Sequence, residues 1–204
     1  MIMMMPPYHG TGLKADENGI REHFERVAGA IDIPIMLQDA PLSGVTLSVR
    51  LLAELAQAIP QLTYFKIEVP GTAVKIRALI EAAGDAVSGP LDGEESITLM
   101  ADLDAGATGS MSSALLPELI KRVIECHRAG DRTTAAAEYA RILPLINYEN
   151  RQCGLRAAKT IMKEGGVIAS DTVRHPLEPL HPATQRGLLE LAHELDVIAL
   201  RWGK

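Results

Sequence analysis

The stretch Leu62-Thr-Tyr-Phe-Lys-Ile-Glu-Val-Pro-Gly71 places one lysine, Lys66, inside an apolar run that is typical of a buried strand. A Pro-Gly turn ends the run, and a helical pattern follows from Thr72. Burial destabilises an ammonium ion, and a neutral lysine amine is a nucleophile toward ketones. A second interpretation is a strand-end lysine that reaches solvent or pairs with Glu68. The stretch therefore predicts either an amine nucleophile or a structural lysine.

Strand and helix patterns alternate on both sides of this stretch. The predicted strands are residues 1–5, 33–37, 62–67, 86–88 and 107–111, and the predicted helices between them are 16–31, 46–58, 72–83 and 94–104. The strands show no polar alternation, which is typical of a parallel sheet covered on both faces. Residues 89–93, Gly-Pro-Leu-Asp-Gly, are predicted to form a loop.

The pattern becomes entirely helical after residue 114. The predicted helices are 115–129, 132–148, 151–164 and 183–196. The chain is therefore predicted to be an α/β protein with five β/α units in residues 1–114 and a helical region in residues 115–204. A closed (β/α)8 barrel takes about 250 residues, so five units predict only part of one.

Composition excludes several classes of protein. The net charge of −6 comes with no basic stripe, which argues against a nucleic-acid partner. The apolar segment of residues 1–5 is too short for a membrane span and lacks a basic leader. Cys126 and Cys153 have no metal-ligand spacing and are expected to be reduced thiols in a cytoplasmic protein. We expect neither a metal nor a cofactor.

Ligands of parallel α/β barrels bind where the strands end. That rule singles out Tyr8, as a proton relay or as a tyrosine that packs at the rim. Asp39 and Glu68 either orient a substrate or are solvated carboxylates, and Ser112 lies in the loop after the last strand. Gly89 and Gly93 allow close approach of the backbone to a ligand, although glycine alone is a weak signal.

Four segments in this order resemble the dihydrodipicolinate synthase / N-acetylneuraminate lyase family of class I Schiff-base enzymes. They are Pro-Pro-Tyr-His-Gly (6–10), Ile-Pro-Ile-Met-Leu-Gln-Asp-Ala-Pro-Leu-Ser-Gly (33–44), Tyr-Phe-Lys-Ile-Glu (64–68) and Ala-Gly-Ala-Thr-Gly-Ser-Met-Ser (105–112). The tail, with Gly-Gly-Val-Ile-Ala-Ser (165–170), is similar as well. The resemblance extends over essentially the whole chain.

The resemblance implies a partial (β/α)8 TIM barrel, strands four to eight, followed by the helical region. It implies Lys66 as the residue that forms the Schiff base with a 2-keto acid and Tyr8 as the proton relay. Substrate-binding roles are expected for Gly89, Ser112, Asp39 and Glu68. On this mapping, three further β/α units are expected upstream of Met1 in the full-length protein, which would be a homo-oligomer, a dimer or tetramer.

Within the family, the sequence of this chain is similar to that of dehydratases of L-2-keto-3-deoxyarabonate. An example is the segment Leu-Ile-Asn-Tyr-Glu-Asn-Arg-Gln (145–152). Dihydrodipicolinate synthases carry an arginine shortly after the tyrosine, whereas residues 10–17 contain only Lys14. The expected function is a lyase that dehydrates a 2-keto-3-deoxy sugar acid to 2-oxoglutarate semialdehyde. The alternatives are a pyruvate-dependent aldolase or synthase, and an inactive truncated fragment.

Overall fold

The computed structural model of the chain describes residues 1–8, residue 10 and residues 12–204. These residues form two compact units. The first unit comprises Met1–Glu94 and Thr98–Met111, and the second comprises Glu95–Ile97 and Ser112–Lys204. The division of the chain into residues 1–114 and 115–204 stays a prediction, because compactness alone does not define a domain that folds independently.

The first unit is built on a parallel sheet. Its strands, among the described residues, are β1 (Ile2–Met4), β2 (Ile35–Asp39), β3 (Leu62–Ile67), β4 (Gly89–Asp92) and β5 (Gly109–Ser110). Each strand pairs in parallel with the next one in the chain, in the order β1-β2-β3-β4-β5. The carboxyl ends of all five strands therefore meet at one edge of the sheet.

Helices connect successive strands of the first unit. They are α1 (Glu17–Ala28), α2 (Val49–Ala58), α3 (Thr72–Ala83) and α4 (Leu99–Asp104). Asp16 caps α1 by accepting a hydrogen bond from Gly19 N, and Ser48 caps α2 by accepting one from Leu51 N. The core between sheet and helices is aliphatic with two phenylalanines, and its fully buried members include Phe24, Leu51, Leu52, Leu55, Leu62, Phe65, Ile67, Ile76 and Leu79.

The fourth strand differs from the prediction. The structure places a short 3-10 helix at Gly84–Ala86 and the strand at Gly89–Asp92, in the segment predicted to be a loop. Pro90 has no N–H group to donate, but its carbonyl accepts a hydrogen bond from Thr108 N at 2.8 Å. Glycine and proline are depleted in strands, so their presence here led to the wrong prediction. The helix predicted from residue 94 begins only at Leu99.

The second unit is helical. Its helices among the described residues are α5 (Pro117–Arg128), α6 (Arg132–Tyr148), α7 (Arg156–Glu164) and α8 (Pro182–Leu195). A π-helical turn, Glu149–Cys153, follows α6 directly. The sequence predicts one continuous helix over 151–164, but Gly154 has a φ of 61°, which interrupts it before α7. No helix in the described part of the chain has the length and apolar composition of a membrane span.

Gly165 marks the tightest backbone approach in the second unit. A Cβ atom added there would lie 1.9 Å from the carbonyl oxygen of Ala199. We predict that Gly165→Ala lowers the free energy of unfolding by about 1–3 kcal/mol, because the backbone must move apart. Urea unfolding measures the effect.

Gly29→Ala is the matched control for this substitution. Gly29 has a φ of −69°, and an added Cβ would lie 3.4 Å from its nearest neighbour outside the adjacent residues. An ordinary helical conformation accepts alanine without strain. An equal urea midpoint for Gly165→Ala and Gly29→Ala would contradict the close approach.

Candidate active site

Lys66 is the penultimate residue of β3, and its neighbours along the strand are the fully buried Phe65 and Ile67. Lys66 itself is only 8% exposed. In the parallel register it lies between Gln38 of β2 and Leu91 of β4. Because side chains alternate along a strand, Lys66 projects from the opposite face to Phe65 and Ile67. Its ammonium group is therefore withdrawn from bulk water at the edge where the strands end.

Glu68 pairs with this lysine. The Lys66 Nζ atom lies 3.1 Å from Glu68 Oε2, and Gln38 Nε2 donates a hydrogen bond to the same oxygen at 2.7 Å. The Glu68 backbone N–H donates to the Asp39 carbonyl at 2.9 Å, which fixes the residue just beyond the end of the strand. The ion pair that the sequence offered as an alternative is thus present, and the lysine does not reach out to solvent. The carboxylate therefore lies directly beside the lysine nitrogen.

Gly93 makes room for the lysine. An added Cβ at Gly93 would lie 2.8 Å from Lys66 Cγ and 2.7 Å from the Ile67 carbonyl oxygen. The Gly93 N–H donates to that same carbonyl at 2.8 Å, so the backbone cannot retreat without losing the bond. A side chain larger than hydrogen would therefore collide with the stem of Lys66.

The structure does not bring Gly89 to this position. Gly89 is the first residue of β4 and pairs with Tyr64, at the other end of the strand from Gly93. An added Cβ there would meet the Tyr64 ring at 2.7 Å. The substrate-binding role of Gly89 stays a prediction. Gly93 could be singled out from the sequence only if residues 89–92 were recognised as a strand.

Asp39 lies on the other face of the sheet. Its carboxylate is 1% exposed, and its Oδ2 atom lies 2.5 Å from the Nζ atom of Lys75. Lys75 also donates to the Leu47 carbonyl at 2.6 Å. Lys75 belongs to α3, so the ion pair joins β2 to the helical layer. The structure therefore does not bring Asp39 to Lys66, whereas Gln38, its neighbour in the sequence, does reach the lysine's partner.

Tyr8 and Ser112 complete the predicted set. Tyr8 follows β1, is 56% exposed and forms an antiparallel bridge with Lys14. Its role as a proton relay stays a prediction, and His9 of the same motif lies outside the described residues. Ser112 is half-buried and follows β5, as the first residue of the long segment of the second unit. Its substrate-binding role also stays a prediction.

Two buried carboxyl groups, those of Asp92 and Asp102, lie near the end of β4 in the first unit. Asp92 Oδ2 accepts a hydrogen bond from Ser110 Oγ at 2.8 Å, and Asp92 Oδ1 accepts one from Glu94 N at 2.8 Å. Asp102 of α4 is fully buried and accepts a hydrogen bond from Thr98 Oγ1 at 2.7 Å. Burial raises the pKa of Asp102 to about 6 against the effect of that hydrogen bond, and the charges of Asp92 and Glu94 add to the rise.

The chemistry available at this edge is that of an amine beside a carboxylate. In the part of the chain that the structure describes, no group of three or more His, Cys, Asp or Glu side chains is arranged to hold a metal ion. A primary amine can add to a carbonyl carbon, and a neighbouring carboxylate can accept and return protons. Lys66 and Glu68 are predicted from the sequence, whereas Gln38 is not, because its polar side chain carries no distinctive signal.

The chain is similar to known proteins over nearly its whole length. Residues 1–195 match the dihydrodipicolinate synthetase family. The chain is 54% identical over 202 residues to L-2-keto-3-deoxyarabonate dehydratase of Azospirillum brasilense, covering 99% of this chain and 65% of that protein. It is 33% identical to 4-hydroxy-tetrahydrodipicolinate synthase of Acidiphilium cryptum, covering 97% of this chain and 66% of the relative. The chain thus spans about two thirds of the length of these relatives.

Solved structures show the same architecture. Dihydrodipicolinate synthase from Aquifex aeolicus superposes with a TM-score of 0.85 at 25% identity, over 96% of this chain and 65% of that one. The enzyme from Rhodopseudomonas palustris gives a TM-score of 0.81 at 25% identity, over 94% of this chain and 64% of that one. The predicted fold, a partial (β/α)8 barrel followed by a helical region, is therefore confirmed.

Asp102 predicts a pH dependence of stability. Its pKa is about 6 in the folded chain against an ordinary value of 3.8, so between these values the folded state binds more protons than the unfolded state. Its contribution to the free energy of unfolding should therefore fall as the pH rises through this window. Asp102→Asn, which keeps an acceptor for Thr98, should be more stable at pH 8 by up to about 3 kcal/mol.

Urea unfolding at pH 4 and at pH 8 measures this difference. The exposed Asp32→Asn is the control and should change stability by less than about 0.5 kcal/mol at either pH. A larger gain for Asp102→Asn at pH 4 than at pH 8 would reverse the sign and refute the assignment.

Proposed function

Because the chain belongs to the dihydrodipicolinate synthetase family, we propose that it contains the nucleophile of a class I Schiff-base lyase. In this proposal Lys66 is the amine that attacks a 2-keto acid. The observation that carries this proposal is the pair of the buried Lys66 with the half-buried Glu68, with 3.1 Å between Nζ and Oε2. Gly93 leaves the space in which the lysine stem lies. Fixed neighbours of this kind reduce the reorganisation that the reaction requires.

The proposed reaction is the dehydration of L-2-keto-3-deoxyarabonate. The identity of 54% to the dehydratase of A. brasilense exceeds the 33% to the synthase of A. cryptum. The loop after β1 supports the same choice, because residues 10–17 hold no arginine for a second, acidic substrate. The alternative is aldol cleavage or synthesis with pyruvate, which the same Schiff base also permits.

The chemistry begins with proton transfer from the Lys66 ammonium group to Glu68. The neutral Nζ atom then attacks C2 of the keto acid. Protonated Glu68 returns its proton to the departing hydroxyl group, so that water leaves, an iminium ion forms and Glu68 is again a carboxylate. The iminium acidifies C3, and Glu68 is the base placed to accept that proton. The C4 hydroxyl group leaves as water, which produces a C3–C4 double bond conjugated with the iminium.

The product forms by an internal transfer of hydrogen. The C3–C4 double bond takes up the hydrogen that the C5 alcohol gives up, so C5 becomes an aldehyde without an outside oxidant. Water then hydrolyses the iminium, which releases 2-oxoglutarate semialdehyde and the free Lys66 amine. The water consumed in hydrolysis equals the water lost in iminium formation. The net change is therefore the loss of one water from the substrate.

The cellular setting follows from the same proposal. A small 2-keto acid is the proposed ligand, and we propose a homo-oligomer, as the family resemblance implies. Cys126 and Cys153 are free thiols, which fits the cytoplasmic location that we propose. We propose no nucleic acid, membrane or metal partner.

Borohydride trapping tests the Schiff base. Reduction in the presence of pyruvate or of the keto-deoxy acid should attach the keto acid irreversibly to the peptide that contains Lys66, as seen by mass spectrometry. Lys66→Ala should remove the adduct completely, and Lys75, which pairs with Asp39, should stay unmodified. An adduct that persists in Lys66→Ala would exclude Lys66 as the nucleophile. Release of pyruvate and a short aldehyde from the keto-deoxy acid would favour cleavage over dehydration.

Glu68→Gln separates imine formation from proton transfer. The amide keeps the shape of the side chain but cannot accept a proton, so we expect turnover to fall by about 10²–10⁴-fold. The borohydride adduct should form more slowly, because the amide cannot take the ammonium proton, but it should still form when the keto acid is saturating. Glu54→Gln changes a surface ion pair with Arg21 and serves as the control. Turnover in Glu68→Gln equal to that of the control would remove Glu68 from the mechanism.

A further inference from the structure

Helix α7, the segment that follows it and the start of α8 line a cavity within the second unit. Its volume is about 180 Å³, and its lining residues lie between Arg156 and Gln185. A water molecule takes about 30 Å³ of the liquid, so the cavity has room for several waters or for one small organic acid. Val173, Pro179 and Leu180 supply apolar lining, and Pro179 is exposed, so that a ligand can enter from solvent.

Arg156, the first residue of α7, brings a positive charge to this cavity. Its Nε atom donates to the Cys153 carbonyl at 2.9 Å, and its Nη1 atom donates to the Glu178 carbonyl at 2.9 Å. Both partners are neutral main-chain oxygens. Among the described residues, Arg156 has no ion-pair partner and its Nη2 atom makes no hydrogen bond. A guanidinium group held in this way is suited to bind a carboxylate.

The carboxylate of Asp171 also lines the cavity, but it belongs to another ion pair. Asp171 Oδ1 lies 2.7 Å from Lys163 Nζ, and Lys159 donates to the Thr172 carbonyl. Helix α7 thus directs Lys159 and Lys163 to the segment that follows it, and Asp171 balances one of these charges. The remaining positive charge favours an anionic ligand. A second carboxylate on that ligand would be repelled by Asp171, which favours a single one.

Two neutral polar side chains complete the lining. Thr160 lies one turn after Arg156 on α7 and is only 6% exposed. Its hydroxyl group forms no hydrogen bond with any residue that the structure describes, and the same holds for the side-chain amide of the half-buried Gln185 on α8. Buried polar groups without a partner are rare in folded proteins, because the cost of their desolvation is not offset. A ligand with a hydroxyl group would satisfy both.

We propose that this cavity binds a small aliphatic monocarboxylic acid that carries a hydroxyl group beside the carboxylate. Arg156 is the partner of the carboxylate, and Thr160 and Gln185 are the hydrogen-bond partners of the hydroxyl group. The apolar lining at Val173 and Leu180 accommodates the short aliphatic end of the acid. The cavity involves none of the residues proposed for the Schiff base, so binding here does not depend on that function.

Titration of the full chain with L-2-hydroxybutyrate tests this proposal. This probe has the carboxylate, the hydroxyl group and a short aliphatic end, but it has no ketone that could form an imine with Lys66. Calorimetry should give a Kd on the order of 1 mM, as is reasonable for a ligand of this size. The amide signals of Thr160 and the side-chain amide signals of Gln185 should shift in NMR spectra. The neutral amide of the acid, and the dianion sulfate, should bind at least about tenfold more weakly.

Variants of the lining identify the groups that bind. Thr160→Val keeps the shape of the side chain but removes the hydroxyl group, and it should raise the Kd about fivefold. Arg156→Gln removes the charge and should raise the Kd at least about tenfold. Arg186→Gln removes an exposed charge next to Gln185, and Thr133→Val removes an exposed hydroxyl group of α6. Both controls should keep the Kd within about twofold of the native value.

Thr160→Val is the deciding variant, because Arg156 also holds two main-chain carbonyls and its loss affects the fold. Saturable binding that Thr160→Val weakens and that Thr133→Val leaves unchanged would support the proposal. An absence of binding up to about 50 mM, far above the expected Kd, would overturn it. Native affinity in Thr160→Val would overturn it as well. Sulfate that binds as tightly as 2-hydroxybutyrate would refute the assignment to a monocarboxylic acid.

Discussion

The ion pair between the buried Lys66 and the half-buried Glu68 is the interaction on which the rest of the proposed site depends. An ammonium group inside a sheet is costly unless a carboxylate lies beside it, and that carboxylate is held by the Gln38 amide. The pair is close enough for the proton to pass between partners. A stabilising contact of the resting chain can therefore become the first step of a reaction when a ketone arrives.

The parallel sheet explains why these residues meet. Consecutive strands pair in chain order, so side chains at the ends of β2, β3 and β4 are brought to one edge although about 30 residues separate them in the sequence. Alternation along each strand then sorts them by face. Gln38 contacts the partner of Lys66, while the adjacent Asp39 pairs with Lys75 of α3. Gln38, which belongs to the site, and Asp39, which belongs to a structural ion pair, are thus adjacent residues on opposite faces of the sheet.

Local physics explains what the sequence could and could not predict. The bounds of β3 and α3 were predicted correctly, because a long apolar run and a Pro-Gly turn are strong signals. Strand β4 was missed because its pairing through the Pro90 carbonyl depends on neighbouring strands, which no local pattern reports. Gly93 was ranked no higher than Gly89 for the same reason. The buried carboxyl groups of Asp102 and Glu149 appear only when the helices pack, since each is an ordinary polar residue in the sequence.

A structure of the chain soaked with pyruvate tests the central claim most directly. We predict continuous density from Lys66 Nζ to C2 of the keto acid, with a Glu68 carboxylate oxygen within hydrogen-bond distance of the new linkage. Gly93 should remain against the lysine stem. Pyruvate bound without a covalent bond to Lys66, or bonded instead to another lysine such as Lys75, would contradict it.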